Sequence, residues 1–416
     1  MHPDRNRWYI LAACVFANLV SGAAYASSVF KRPMMEHLGC TEQQWALAFS
    51  LTLAFLPVGM LMSGRLVDTG RPRAAVMLGA LLMGLGAFLA GFADSLWWLY
   101  LTFGVMMSLG NGSSYGAVIA VSVRWFPDRR GMASGLTVGA LGFGTAIIAP
   151  FAQWLLQRPG LGVLGMFRVL GVTFFAVLAL SSLMMKNPPA YFCGECDDRS
   201  TGSDLKWSKM LTRPRFWLLY VLYAFGVFSG LMVISQAATI AQEMTHLSKA
   251  AAAGVVALLG LANAGGRVAW GAVSDRIGRL PSLALMFLVT MAAMFSLPAL
   301  AAERATLMVA VAVIGLCFGG YLGTFPSLCA DSFGAANAAV NYALLFSAFS
   351  VAALAGPWVA ARFAEGAGGY AAAFRVAGVV CAAGLALSLS ALRRQSGRIS
   401  PPEQDSRQES AVSSSN

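Results

Sequence analysis

An arginine stands in the middle of an apolar stretch that is long enough to cross a membrane. Arg267 lies within residues 250–272, which hold no acidic residue. An arginine at the centre of a membrane helix costs about 2.5–3.5 kcal/mol on insertion scales, so such residues face a cavity or a partner. Its planar fork of donors fits a carboxylate. We therefore expect Arg267 to bind an anion; the alternatives are that it reaches the membrane surface or pairs with a backbone carbonyl.

Asn263 lies four residues before Arg267, so the two side chains share one face of a helix. Asparagine does not titrate, and no acid lies clearly inside an apolar segment: Asp331 falls at the end of the tenth and Glu243 at the outer end of the seventh. This pattern disfavours proton symport and favours exchange or uniport of an anion. His246 is an alternative proton site, although a loop histidine is usually only solvated.

Other polar side chains stand in glycine-rich apolar segments: Tyr25, Asn111, Tyr115 and Tyr321. Hydroxyl and amide groups can donate to a carboxylate without adding charge to a cavity. Asn111 and Tyr115 are one turn apart and share a face. The same groups also serve helix packing and hydrogen bonding between helices, so both roles stay open.

The elements that must position these residues are membrane helices. Of the 416 residues, 58% are hydrophobic and 11% are charged, whereas a soluble domain carries about 25% charged residues. A bilayer core needs about 20 apolar residues per helix, which predicts an all-α membrane protein with about twelve transmembrane helices. The apolar segments are 8–30, 43–65, 74–93, 97–123, 132–156, 164–185, 215–241, 249–272, 280–300, 305–330, 337–362 and 370–392.

These segments form two groups of six, which predicts four regions. The regions are an N-terminal six-helix bundle (1–185), a cytoplasmic linker (186–213), a C-terminal six-helix bundle (214–392) and a disordered cytoplasmic tail (393–416). Most of the 29 Lys and Arg residues fall on the side that holds both termini. The positive-inside rule therefore places both termini in the cytoplasm of a cell, with the chain in its inner (plasma) membrane. The net charge of +11 then reflects topology rather than nucleic-acid binding.

The sequence predicts neither an enzyme nor a metalloprotein. It holds no nucleotide-binding loop and no HExxH or GxSxG motif. Cys193-x-x-Cys196 has a metal-like spacing, but no second pair or histidine accompanies it, so its role stays open. We expect no cofactor and no metal. The expected partners are a small substrate and the lipid bilayer, and the expected state is a monomer.

A short motif recurs at equivalent places in the two halves, after the second and after the eighth segment. Each copy has a glycine at the end of a helix, an acid four residues later, and then a turn glycine followed by arginine. Glycine lets helices approach closely, while Asp and Arg can pair between halves or cap a helix. We expect the motif to control a gate. Its residues are Gly64, Asp68 and Arg71 in the first copy, and Gly271, Asp275, Arg276 and Arg279 in the second.

The two groups of six and this repeated loop resemble the major facilitator superfamily. A finer resemblance, to the oxalate/formate antiporter family and the monocarboxylate porters, rests on five stretches. They are Asn6-Arg-Trp-Tyr9, residues 124–135, residues 211–217, Asn263-Ala-Gly-Gly-Arg267 and Phe325-Pro-Ser327. The resemblance implies the twelve-helix major facilitator fold, with two six-helix bundles around a central cavity that opens alternately to each side and carries small carboxylates.

The resemblance also implies roles for individual residues. Members of these families bind substrate through an arginine at the place of Arg267 and have tyrosines at the places of Tyr25 and Tyr115. Proton-coupled porters have aspartate where this chain has Asn263, and oxalate carriers have lysine where it has Phe349.

One cation in the cavity suits one carboxylate, because a dianion would keep a second charge desolvated and unpaired. We therefore expect transport of a monocarboxylate such as formate, lactate or pyruvate. The alternatives are a proton-coupled symporter, an oxalate/formate antiporter and a membrane sensor that does not transport.

Overall fold

The chain is built from helices. A computed structural model describes residues 3–24, 26–189, 204–245, 248–300, 303–364 and 369–396, and within these ranges it contains no strand. Two of its long helices are composite: α1 consists of Pro3–Leu19, a 3₁₀ turn at Val20–Ala24 and Ser27–Leu38, and α4 consists of Leu96–Leu99, π-helical Tyr100–Met106 and Met107–Trp125. The others are α2 (Glu42–Asp68), α3 (Pro72–Ala90), α5 (Arg130–Leu156), α6 (Gly162–Met184), α7 (Pro214–Thr245), α8 (Lys249–Ile277), α9 (Arg279–Leu300), α10 (Arg304–Phe333), α11 (Ala338–Ala364) and α12 (Gly369–Ser396).

The predicted membrane helices are confirmed. Within the described ranges, ten helices are long and apolar enough to cross a membrane. The remaining two, α1 and α4, are the composite ones, whose irregular turns the apolar pattern alone did not indicate. A short helix, Trp207–Leu211, precedes α7.

Local sequence signals explain where several helices begin and turn. Thr41 and Gln44 form a capping box that starts α2, which satisfies amides that would otherwise lack partners. Gly70 and Gly278, the turn glycines of the repeated motif, have φ angles of 87° and 94°. Side chains with a Cβ rarely adopt such angles, so glycine is needed in both turns.

Buried apolar side chains form two clusters. One gathers residues of α1–α6, and the other gathers residues of α7–α12 together with a few from α2, α4 and α5. We call the side of the bundle where α2, α4, α8 and α10 end the basic face. It carries the turns of the repeated motif and the starts of α5 and α11.

Glycines bring helices of the two clusters into backbone contact. A Cβ added to Gly135 of α5 or to Gly323 of α10 would overlap the carbonyl oxygen of Arg267 in α8. A Cβ on Gly271 of α8 would overlap the carbonyl oxygen of Gly131 in α5. Helix α8 is therefore held between α5 and α10 by contacts that only glycine permits.

Two adjacent glycines of α8 give a matched test of this packing. A Cβ on Gly266 would overlap the carbonyl oxygen of Leu316 in α10, whereas a Cβ on Gly265 would have no atom within 4 Å. We expect Gly266→Ala to destabilise the protein by about 1–3 kcal/mol through overpacking. Gly265→Ala should be neutral or slightly stabilising, because alanine is the better helix former. Thermal unfolding midpoints in detergent would measure both; equal midpoints would contradict the packing.

Candidate functional site

Arg267 is a residue of α8 and is enclosed between α5 and α10. Its side chain is 1% exposed, so it does not reach the membrane surface. Its Nη1 donates to the carbonyl oxygen of Val138 in α5 (2.8 Å), and its Nε donates to Oδ1 of Asn263 (3.2 Å). The guanidinium therefore connects two helices that belong to different halves of the chain.

The charge of Arg267 lacks a counter-ion within the described ranges. Arg124 and Arg130 are buried as well, but each forms an ion pair, with Asp68 and with Asp331 respectively. No described carboxylate lies within 4.0 Å of Arg267. A buried charge without a partner is costly, so this arrangement is suited to receiving an anion.

Asn263 lies one turn before Arg267 in α8 and is half-buried. Its amide oxygen accepts from Arg267, as the spacing of four residues predicts. An amide holds the guanidinium in place without neutralising it. The two residues thus form an oriented cationic donor set.

An aromatic cluster crosses the interface between the halves. Tyr115 of α4 lies against Phe346 of α11, with ring centroids 5.6 Å apart. Phe349 stacks on Phe346 at 5.0 Å. Tyr223 of α7 stacks on Phe325 of α10 at 4.1 Å, and its hydroxyl lies 3.4 Å from that of Tyr342. We call these residues the aromatic cluster: Tyr115, Tyr223, Phe325, Tyr342, Phe346 and Phe349.

The structure brings some of the predicted binding residues into the region between the halves but not all. Tyr115 and Phe349 belong to the aromatic cluster. Asn111 is buried one turn from Tyr115, and its Oδ1 has no hydrogen-bond partner in the described part of the chain. Tyr321 is fully buried one turn from Phe325 in α10 and lies against Gly226 of α7. Its ring centroid is 5.1 Å from that of Phe287 in α9. The sequence pattern did not single out Tyr223, Tyr342 or Phe346.

Some predicted residues lie outside the described ranges. These are Tyr25, His246, Cys193 and Cys196. Their proposed parts in binding, proton transfer or metal coordination stay predictions.

One contact between the halves on the basic face joins α2 to α11. The carboxylate of Asp68 accepts from the amides of Ala339 (3.2 Å) and Val340 (3.1 Å) at the start of α11. Arg124 pairs with Asp68 at 2.5 Å and donates to the carbonyl oxygen of Ala335 (2.9 Å). Gly64 lets α2 approach the backbone near Val340. A carboxylate at a helix N-terminus is favourable because it meets free amides and the positive end of the helix dipole.

A second contact on the same face joins α8 to α5 and repeats this design. Asp275 accepts from the amides of Gly131 (2.8 Å) and Met132 (2.7 Å) at the start of α5. Arg279 pairs with Asp275 at 2.7 Å and with Asp331 at 2.8 Å. Each motif acid thus caps a helix of the other half. Together, the two contacts hold the halves against each other on the basic face.

Five of the seven residues predicted to gate take part in these contacts: Gly64, Asp68, Gly271, Asp275 and Arg279. Arg71 and Arg276 are exposed, and neither contributes an ion pair to the contacts within the described ranges. The sequence pattern missed Arg124, Arg130 and Asp331 as partners in the ion pairs of this face. Arg124 and Arg130 lie in the stretch 124–135 that resembled transporter families, which was the available signal.

Comparison with known proteins gives the family. A family model described as Major Facilitator Superfamily matches residues 11–357. The crystal structure of FucP, a major facilitator transporter of Escherichia coli in the outward conformation, superimposes with a TM-score of 0.70. It shares 17% sequence identity, with 92% of this chain and 98% of that chain covered.

Curated relatives cover most of the chain. The uncharacterized MFS-type transporter YhjX of Escherichia coli (strain K12) is 28% identical over 84% of this chain and 87% of its own length. The oxalate:formate antiporter of Oxalobacter formigenes is 28% identical over 86% of this chain and 85% of its own length. Monocarboxylate transporter 12 of Xenopus laevis is 25% identical over 89% of this chain and 85% of its own length.

The two contacts on the basic face can be opened selectively. Asp68→Ala or Asp275→Ala removes two amide caps and an ion pair, which should favour separation of the halves on this face by about 1–3 kcal/mol. The test uses spin labels at the exposed positions 129 and 213 in a background where Cys193 and Cys196 are replaced by Ser. In either variant the distribution of distances between the two labels should shift to longer values or gain a component at longer distance.

Asp128→Ala is the matched control on the same face. Its carboxylate pairs with Arg7 of its own half of the chain, and its other partner, Arg129, carries the label in every variant, so the control removes no contact between the halves. The distance distribution should stay that of the parent. The gate assignment would be wrong if the three variants gave the same distribution.

Proposed function

The chain belongs to the Major Facilitator Superfamily, and on that premise we propose that it is a secondary transporter of a small monocarboxylate. Formate, lactate and pyruvate are examples of the expected class. The observation that carries the proposal is the buried charge of Arg267, which lacks a counter-ion among the described residues. Relatives named as an oxalate:formate antiporter and a monocarboxylate transporter support an anionic substrate.

In the proposed binding step the anion takes over part of the guanidinium of Arg267. Of its five N–H donors, one is held by Val138 and one by Asn263. A carboxylate offers stronger, charge-assisted hydrogen bonds than a carbonyl oxygen does. An anion that competes with Val138 would therefore weaken a bond between the halves at the moment of binding, which links occupancy to their relative position.

The proposed transport cycle is alternating access of two six-helix bundles, residues 1–185 and 214–392, around this site. Asp68 and Asp275 close the basic face in the state that the structure describes. Substrate would then enter from the opposite face and leave through the basic face once both contacts open. The basic face is proposed to be cytoplasmic, in a plasma membrane, because it carries most of the positive charge. A monomer suffices for this cycle.

The proposed preference for one carboxylate assumes that Phe349 borders the path of the substrate. Phe349 stacks in the aromatic cluster, where a lysine would add a second cation. A dianion would bring one more charge into this apolar region than Arg267 can neutralise. Asn263 next to Arg267, in place of an acid, favours exchange or uniport over proton symport.

Replacement of the arginine tests the proposal. Arg267→Gln should lower uptake of labelled lactate or formate into proteoliposomes by at least about 30-fold, because the substrate charge would be buried unpaired. Arg267→Lys should retain part of the activity, since it keeps the charge but loses the fork of donors.

Arg375→Gln, an exposed position of α12, is the control and should transport normally. Unchanged transport by Arg267→Gln would refute the site. The same assay separates mechanisms: stimulation by internal anion indicates exchange, uptake driven by a pH step indicates symport, and binding without flux indicates a sensor.

A second cation should change selectivity. Phe349→Lys should increase inhibition of monocarboxylate uptake by oxalate or malonate by about tenfold, because each carboxylate of the dianion would then meet a cation. Phe349→Met introduces an unbranched side chain like that of lysine but without the charge, and it should leave the preference for monocarboxylates unchanged. Competition curves measure the effect, and identical curves for the two variants would contradict the argument from a single cation.

A further inference from the structure

A groove opens on the basic face at the junction of α3 and α6. Residues 70–74 and 185–187 line it, and its volume is about 530 Å³. Three of these side chains, Arg71, Arg73 and Lys186, are cations and are exposed. Among the described residues that line the groove, none is acidic.

The cations of the groove lack acidic partners in the part of the chain that the structure describes. Arg73 donates from Nε to the carbonyl oxygen of Met185 (3.2 Å), which fixes its stem across the groove. No ion pair of Arg71, Arg73 or Lys186 is formed with a described carboxylate. The charge of the groove is therefore open to an external anion.

The two copies of the repeated motif differ at this point. Arg279 in the second copy is drawn into the gate by Asp275 and Asp331. Its counterpart Arg71 stands one residue closer to the motif acid, Asp68, and lines the groove instead. Arg71 thus occupies the position in the motif that corresponds to Arg279, but it lines the groove instead of pairing with Asp275 and Asp331 as Arg279 does.

The position of the groove fits a lipid headgroup. Helix α3 begins at Pro72 and α6 ends at Met184, so the groove lies at the ends of two helices that are long and apolar enough to cross a membrane. Exposed apolar side chains precede it on α6: Leu180 (64% exposed), Leu183 (61%) and Met184 (45%). Basic pockets between membrane helices at this level bind anionic headgroups.

We propose that this groove binds the headgroup phosphate of an anionic phospholipid, with Arg71, Arg73 and Lys186 around the phosphate and the acyl chains along α6. The site borders the contact between α2 and α11, because Asn187 in its wall accepts from Nη1 of Arg124 (3.5 Å). Arg124 in turn pairs with Asp68. Bound lipid therefore favours the closed basic face. This site is separate from Arg267 and does not depend on the transported substrate.

Titration with short-chain lipids tests the binding. Dioctanoyl phosphatidylglycerol should raise the thermal unfolding midpoint of the purified protein saturably, and dioctanoyl phosphatidylcholine should not. Arg71→Gln with Lys186→Gln keeps the bond of Arg73 to Met185. This double variant should raise the half-saturating concentration by about 25-fold, about fivefold for each cation.

Lys206→Gln with Lys209→Gln removes the same charge from exposed positions on the same face and should bind lipid normally. An equal loss in both double variants would overturn the groove as the site, leaving only general surface charge. An equal effect of inorganic phosphate or glycerophosphate would overturn the phospholipid as the ligand.

The effect on the gate has its own readout. In vesicles, phosphatidylglycerol should shorten the distance between labels at positions 129 and 213, and the double variant at positions 71 and 186 should lose this response. Lipid binding without any change in that distance would overturn the link to the gate.

Discussion

Helices α5 and α8 touch through their backbones, and the two functional regions depend on that contact. Glycines at 131, 135 and 271 allow it, because a Cβ at any of them would overlap the other helix. At this separation Arg267 reaches the carbonyl oxygen of Val138. At the same separation Asp275 reaches the amides that begin α5. Larger side chains would part the helices and break both interactions together.

Helix α8 carries both the proposed binding site and a motif acid that caps α5. Arg267, Gly271 and Asp275 follow one another at intervals of four residues, and each contacts α5. Arg267 and Asp275 are about 12 Å apart along the helix axis. A rigid helix transmits a small tilt over such a distance. An anion that competes with Val138 for Arg267 therefore acts on the element that also caps α5, and no separate relay is required.

Composition and apolar segment lengths were enough to predict the membrane helices, because each helix must bury its own backbone polar groups in lipid. Arg267, Asn263 and the motif acids were also visible in the sequence, because a charge in an apolar run or a repeated acid stands out locally; their roles in binding and gating stay predictions. Their partners were not visible. Arg124 and Asp331 meet the motif through contacts between distant parts of the chain, and the ring that pairs with Tyr321, Phe287, lies on another helix. Such contacts between helices cannot be read from spacing alone.

An acid placed beside the arginine tests the central claim, that Arg267 is an unpaired cation that binds a carboxylate. In Asn263→Asp, the introduced carboxylate lies one turn from Arg267 and should take the place of the substrate. Equilibrium binding of labelled lactate should weaken by about 30-fold at neutral pH and recover as the pH falls and the introduced carboxylate becomes protonated. Asn263→Gln and the parent should show no such pH dependence. Binding by Asn263→Asp that matched the parent at every pH would contradict the account.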